Sequence, residues 1–122
     1  RDSIKPIYFD LDKYDIRDDA ARELDKVVKT LLKYPNLNIE LGSHTDSRAR
    51  DQYNLNLSDK RAEATKQWLV DKGIDTSRIS AKGYGESKLV NNCSNGVKCT
   101  ESEHQMNRRT EFVIVNPEEL KK

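Results

Sequence analysis

Strand-like segments alternate along this chain with two longer segments of helical periodicity, and this order restricts the folds available to it. Apolar residues recur at the spacing of one helix face over residues 18–33, and a second helix is predicted from about Asn54 to Lys72, ending at Gly73. Strand-like segments cover about residues 7–9, 38–43, 79–84 and 110–115. The order β-α-β-α-β-β predicts an α+β fold, an α/β sandwich whose two helices pack on one face of a four-stranded mixed sheet.

The segments between these elements are predicted to be loops, with one exception. A short helical turn is predicted near Glu101 to Gln105, and the tail from Pro117 to Lys122 is expected to be frayed. The 122 residues predict a single domain over 1–122, with an ordered core at about 5–116.

Charge patterning argues against two classes of partner. The 22 basic and 21 acidic residues are well mixed and leave a net charge of +1. A nucleic-acid binder or a protein that binds anionic membranes would present a one-sided basic field. The sequence has no apolar run of the roughly 20 residues that span a bilayer and no signal-peptide pattern, so we expect no membrane insertion by this chain and either a cytosolic protein or an excised fragment.

One acid and one arginine stand out because of what surrounds them. Asp46 follows a hydrophobic strand-like run, and Arg61 lies in the second predicted helix, on the same helix face as Asn54. A carboxylate and a guanidinium that converge on one pocket can hold a zwitterion, since the acid accepts an ammonium and arginine binds a carboxylate through two hydrogen bonds. We expect Arg61 on a polar edge of the helix, overhanging the loop after Asp46.

The sequence around this pair resembles the OmpA-like peptidoglycan-binding domain family, found in OmpA, Pal and MotB. The family pattern is matched by Thr45-Asp46, Asn54, Leu57-Ser58 and Arg61-Ala62. Three further segments are similar to the family in the expected order: Phe9-Asp10-Leu11-Asp12, Ile79 to Glu86, and Asn107-Arg108-Arg109-Thr110-Glu111. Together they span nearly all of residues 7–115.

The resemblance implies non-covalent binding of cell-wall peptidoglycan through the diaminopimelate residue of its stem peptide, with no catalysis and no cofactor. Asp46 would accept the ammonium and Arg61 would bind the carboxylate. The other pocket residues it implies are Asp12, Thr45, Asn54 and Arg108, with Arg109 expected at the strand edge or paired with an acid. The domain would lie in the periplasm of a Gram-negative bacterium and would anchor an outer-membrane protein to the cell wall. It would also have envelope-protein partners, and it would be excised from a larger protein.

One departure from the family pattern adjoins the site. Ala49 stands where the family usually carries glycine, and Arg48 and Arg50 flank it. If that position requires a positive φ, alanine costs about 1 kcal/mol or forces a different loop path. The two arginines could add contacts to carboxylates of the stem peptide, although we expect them to be solvated.

The two cysteines flank an Asn-Gly turn signal in a polar segment. Cys93 and Cys99 can close a small disulfide ring, which persists only in an oxidising compartment such as the periplasm. A zinc site that combines them with His44 and His104 is the weaker alternative, because the spacing fits no usual zinc pattern.

Two other functions remain open. Ile7 to Asp12 forms a hydrophobic strand that ends in Asp-x-Asp, as in magnesium-dependent phosphatases, although Tyr14 departs from that motif and no second metal-binding pair of acids follows. Alternatively, the chain is a protein-interaction module of an envelope complex that keeps the fold without the ligand pocket. Such a module would bind no muropeptide.

Overall fold

A computed structural model describes residues 4–121, and it contains a mixed four-stranded sheet with two long helices. The strands are β1 (Ile7–Tyr8), β2 (Ile39–Ser43), β3 (Ile79–Gly83) and β4 (Arg109–Ile114). The helices are α1 (Asp18–Lys33), α2 (Asp51–Asp71) and α3 (Glu101–Gln105), and 3-10 turns cover Thr76–Arg78 and Pro117–Lys121. This is the predicted α+β architecture.

The sheet has the order β1-β4-β2-β3. β2 is parallel to β3, whereas β4 lies antiparallel to both β1 and β2. The core forms between this sheet and the apolar faces of α1 and α2. Its fully buried members include Phe9, Leu24, Leu31, Ile39, Leu41 and Leu69. None of the helices within residues 4–121 combines the length and apolar character needed to cross a bilayer.

α1 occupies the predicted range, because apolar residues repeat on one face, Asp18 and Asp19 lie in its first turn, and Pro35 follows its end. α2 begins at Asp51, three residues earlier than predicted. The amide of Asn54 already donates to the carbonyl of Arg50 (2.9 Å), so Asn54 belongs to the first turn. At the other end Gly73 has φ 100°, which suits a residue that terminates a helix.

Two expectations were wrong, one about the C-terminal tail and one about the side chain of Arg61. The tail is not frayed over Pro117–Lys121, because Leu120 packs against the core and the segment forms a 3-10 turn; Lys122 lies outside the described residues. Arg61 does not lie on a polar edge of α2. It is the largest fully buried side chain among residues 4–121, because main-chain carbonyls satisfy its guanidinium inside the fold.

Candidate functional site

The candidate site lies where β1 and β2 end and β4 begins. β4 is antiparallel to both strands, with Tyr8 opposite Arg109 and Ser43 opposite Thr110. The loops after β1 and β2 therefore meet at Arg108, the residue before β4. Because β3 is parallel to β2, the segment after β3 reaches the same edge, and Thr45 donates its amide hydrogen to the carbonyl of Gly85 (2.9 Å).

A small cleft lies at this edge, and its side chains pack so closely that it has no room for a water molecule. The six residues that the resemblance implies as ligand-binding all line it, namely Asp12, Thr45, Asp46, Asn54, Arg61 and Arg108. Leu11, Arg48 and Leu57 complete the lining. The fold thus gathers residues that are up to 96 positions apart in the sequence (12 to 108) into one cleft.

Asp46 is the buried acid of the cleft, with 4% of its surface exposed. Its Oδ1 accepts the main-chain N–H of Arg48 (3.0 Å), and its Oδ2 accepts Nη2 of Arg48 (2.9 Å) and Nη1 of Arg108 (3.0 Å). Burial alone would raise the pKa of Asp46, but the hydrogen bonds from Arg48 and Arg108 outweigh it and lower the pKa below its usual value. Asp46 is therefore a carboxylate at neutral pH.

Arg61 is held by the main chain rather than by an acid. Its Nε donates to the carbonyl of Lys13 (2.8 Å), Nη1 to that of His44 (3.0 Å) and Nη2 to that of Asp10 (2.9 Å). These bonds use three of the five N–H groups of a guanidinium, which leaves one on each Nη. Burial and the neighbouring cation of Arg108 lower the pKa of Arg61 to about 10, so the side chain remains charged at neutral pH.

Arg108, and not Arg109, faces the cleft. Besides Asp46, Arg108 binds Glu101 through Nη1 (3.0 Å) and the carbonyl of Phe9 through Nε (2.9 Å). Arg109 points elsewhere and pairs with Glu111 (2.9 Å).

The uncharged residues and Asp12 line the remaining walls. Thr45 is almost fully buried, and its Oγ1 has no hydrogen-bond partner within residues 4–121. Asn54 donates through Nδ2 to Glu86 (2.9 Å), and Asp12 lies 3.4 Å from the hydroxyl of Tyr53. Asp12 has φ 58°, a left-handed conformation that aspartate tolerates better than most residues. The hydroxyl of Thr45 is thus available to a ligand, as are the two unused N–H groups of Arg61.

Arg48 was expected to be solvated, and 37% of its side chain is indeed exposed, but its guanidinium also forms ion pairs that were not predicted. It bridges Asp46 to Glu101, whose Oε2 lies 2.9 Å from Nη1 of Arg48. The Asp-x-Arg spacing is the signal that could have revealed it, because an aspartate readily accepts the main-chain N–H two residues on. Glu101 was also missed, although the capping box formed by Thr100 and Glu103 fixes the start of α3 and hence the place of Glu101.

Ala49 adopts φ 148°, in the region that favours glycine. The loop therefore follows the path that a glycine would take, and alanine bears the strain. The neighbouring loop is closed by the disulfide between Cys93 and Cys99, the pairing that the sequence predicts. The hydroxyl of Ser47 donates to the carbonyl of Cys93, which ties the disulfide loop to the loop of Asp46.

The alternative of a zinc site is wrong, because the two cysteines form a disulfide and have no thiolate to offer a metal ion. Within the described residues, Cys93, Cys99 and Glu103 are close enough together to share an ion, but the disulfide engages both sulfur atoms. His44 is buried and stacked on Tyr84, with ring centroids 5.4 Å apart, and burial together with Arg109 lowers its pKa to about 4. It is thus a neutral strand-end residue at physiological pH.

The comparisons with known proteins decide the family. The model of the OmpA family matches residues 8–102. This chain belongs to the OmpA family. The domain is 38% identical over 108 residues to the peptidoglycan-associated lipoprotein of Rhizobium meliloti and 38% identical to the outer membrane porin F of Pseudomonas fluorescens, each match covering 88% of the chain. It spans 58% of the lipoprotein and 32% of the porin.

Among solved structures, the OmpA-family domain is similar to the crystal structure of the peptidoglycan-associated lipoprotein from Burkholderia pseudomallei. The TM-score is 0.80 at 30% identity, and the match covers 90% of this chain and 89% of the other. This agreement supports the α+β fold and the predicted order of its elements.

Proposed function

We propose that this domain binds peptidoglycan non-covalently through the diaminopimelate residue of the stem peptide and so anchors an envelope protein to the cell wall. The observation that carries the proposal is the convergence of Asp46, Arg61 and Arg108 on one cleft. The free end of diaminopimelate carries an ammonium and a carboxylate on the same carbon. A site with both counter-charges rejects a ligand that lacks either charge, because a buried partner would then be left unpaired.

The cleft carries one positive charge too many for a zwitterion, and movement of Arg48 away from Asp46 would correct this. Its lining contains two acids, Asp12 and Asp46, and three arginines, Arg48, Arg61 and Arg108. Of the three cations, Arg48 is the exposed one, with 37% of its side chain accessible against 5% for Arg108. When Arg48 swings away from Asp46, two acids and two arginines remain, a balance that matches a zwitterion.

Arg48 therefore acts as a stand-in for the ligand ammonium. It occupies Oδ2 of Asp46 in the free domain and retains Glu101 as a partner when it is displaced. In the bound state the ammonium would take its place on Asp46, the two spare N–H groups of Arg61 would bind the carboxylate, and the hydroxyl of Thr45 would gain a partner. The exchange of one cation for another on Asp46 avoids leaving a buried charge alone at any stage.

The relatives support this assignment and its compartment. The Rhizobium lipoprotein is named for its association with peptidoglycan, and the Pseudomonas porin is an outer-membrane protein. The disulfide fits an oxidising compartment such as the periplasm. The role we propose is tethering, with no catalytic step.

Calorimetric titration with a diaminopimelate-containing muropeptide tests the proposal. We expect saturable binding by the parent domain and a loss of about 2–5 kcal/mol in Asp46→Asn. A muropeptide with lysine in place of diaminopimelate retains the ammonium but lacks the carboxylate, so it should bind at least tenfold more weakly.

Arg22→Gln serves as the matched control, because Arg22 is an exposed residue of α1 that does not line the cleft. Its affinity should equal that of the parent. A folded, disulfide-bonded parent that binds no muropeptide would refute the proposal and favour a protein-interaction module with the same fold. Equal affinity for the lysine and diaminopimelate ligands would refute the zwitterion mechanism.

A further inference from the structure

An open groove adjoins the cleft and is continuous with it. The groove is lined by Leu11, Asp12, Arg48, Ala49, Arg50 and Tyr53, and the first three of these also line the cleft. A ligand held by Asp46 and Arg61 that extends out of the cleft on this side must run along the groove. Leu11 and Tyr53 supply an apolar wall, since 45% and 46% of their surfaces are exposed.

Arg50 differs from the three arginines of the cleft. Arg48, Arg61 and Arg108 each bind a carboxylate or main-chain carbonyls. The side chain of Arg50 makes no hydrogen bond or ion pair with any residue from 4 to 121. Arg50 is thus a free guanidinium on the wall of a groove that leads from the proposed binding site.

The chemistry of the stem peptide supplies a partner for such a group. The residue before diaminopimelate is linked through its γ-carboxyl group, which leaves its α-carboxylate free. The residue after diaminopimelate, where it ends the peptide, carries a terminal carboxylate. Either carboxylate adjoins the residue that the cleft would hold, and an arginine can bind a carboxylate through two parallel hydrogen bonds. The methylene and methyl groups next to these carboxylates suit the apolar wall.

We propose that the groove is a second subsite for the stem peptide, in which Arg50 binds a carboxylate adjacent to diaminopimelate. This inference rests on the proposed function, because the groove gains its ligand from the cleft. It makes Arg50 a specificity residue: the domain distinguishes stem peptides with a free carboxylate at this position from those in which the carboxylate is amidated. Asp12 on the same groove accepts the hydroxyl of Tyr53, so Arg50 is the charged group there that lacks a partner within the described residues.

Titration with two pairs of muropeptides tests this inference. The first pair is a tripeptide that ends in diaminopimelate, with the preceding residue either as D-glutamate or as D-isoglutamine. The second pair is a tetrapeptide with its terminal D-alanine either free or amidated. We expect amidation in one pair to weaken binding to the parent about three- to fivefold, as for a partly exposed charge-assisted pair. The pair that responds identifies the carboxylate.

Arg50→Gln should bind the free and the amidated ligand of that pair equally, and Arg22→Gln should discriminate as the parent does. The side chain of Arg50 makes no capping hydrogen bond to α2, and removal of a cation from the N-terminus of a helix is not destabilising, so the variant should unfold at or slightly above the temperature of the parent. If the parent binds all four ligands with equal affinity, or if Arg50→Gln retains the discrimination, this inference is wrong although the proposed function stands. If the parent binds none of the four ligands, both are wrong.

Discussion

Replacement of Arg61 by alanine should destabilise the domain as well as abolish muropeptide binding. Arg61 is fully buried, and it donates to three carbonyls in two loops: Asp10 and Lys13 after β1, and His44 after β2. Its guanidinium also lies 5.1 Å from the ring centroid of Phe9, a fully buried core residue. The side chain is therefore a structural element of the cleft as well as a proposed ligand contact.

The size of the effect follows from these contacts. Hydrogen bonds from a charged donor contribute about 1.5–3 kcal/mol each, so three of them would total about 4.5–9 kcal/mol. Removal of the cation also relieves the cost of its burial, and the carbonyls of Asp10 and Lys13 can recover water because these bonds are only partly buried. We therefore expect Arg61→Ala to lower the free energy of unfolding by about 3–5 kcal/mol, a large share of the 5–15 kcal/mol typical of a domain.

Urea denaturation followed by far-ultraviolet circular dichroism measures this loss. Arg61→Met is the matched variant, because it keeps much of the apolar stem and removes only the donors; it should lose nearly as much stability as Arg61→Ala. A loss below about 1 kcal/mol in both variants would refute the argument that Arg61 joins the two loops. If Arg61→Met were as stable as the parent while Arg61→Ala was not, packing rather than hydrogen bonding would be the cause.

Four further predictions concern stability. Ala49→Gly should raise the free energy of unfolding by about 1 kcal/mol, because φ 148° strains alanine; a lower thermal midpoint would contradict this. The folded-state pKa of His44, about 4, lies below the unfolded value of 6.5, so its contribution is complete above pH 6.5 and is lost as the pH falls towards 4. Urea midpoints should record a loss of about 3 kcal/mol at the acid end, and His44→Gln should flatten that dependence. Joint replacement of Cys93 and Cys99 by serine should cost about 2 kcal/mol, and a reducing agent should lower the thermal midpoint of the parent but not of the variant. In Gly83→Ala the added Cβ would lie within 2.5 Å of Ser58 on α2, which should cost about 3 kcal/mol in the same denaturation assay.

The fold was predictable because its signals are local. The helical repeat of α1, the alternation in β2 and the glycine after α2 each act within a few residues, and each is confirmed. The wrong expectation about the tail has a non-local cause. Nothing near Leu120 in the sequence shows that the core has room for it.

The site divides in the same way. The residues that line the cleft were identified from motif spacing, but their partners were not. The position of Arg61 depends on the main-chain carbonyls of Asp10 and Lys13, about 50 residues earlier in the chain. Every residue has such a carbonyl, so the sequence does not show which ones will accept these hydrogen bonds. Glu101 meets Arg48 only because the register of β2 and β4 brings α3 to the loop after β2. Such contacts follow from topology and not from residue type.

The hydrogen bonds of Arg61 also determine how the cleft would bind. Because Arg61 joins the loops after β1 and β2 to α2, those loops cannot change position unless α2 separates from the sheet. The cleft is thus preorganised, and the main rearrangement left for the ligand to cause is movement of Arg48 towards Glu101. A preorganised site loses little conformational entropy on binding. A change in Arg48 should alter affinity and should cost less stability than a change in Arg61, because Arg108 remains paired with Asp46. A change in Arg61 should alter both together.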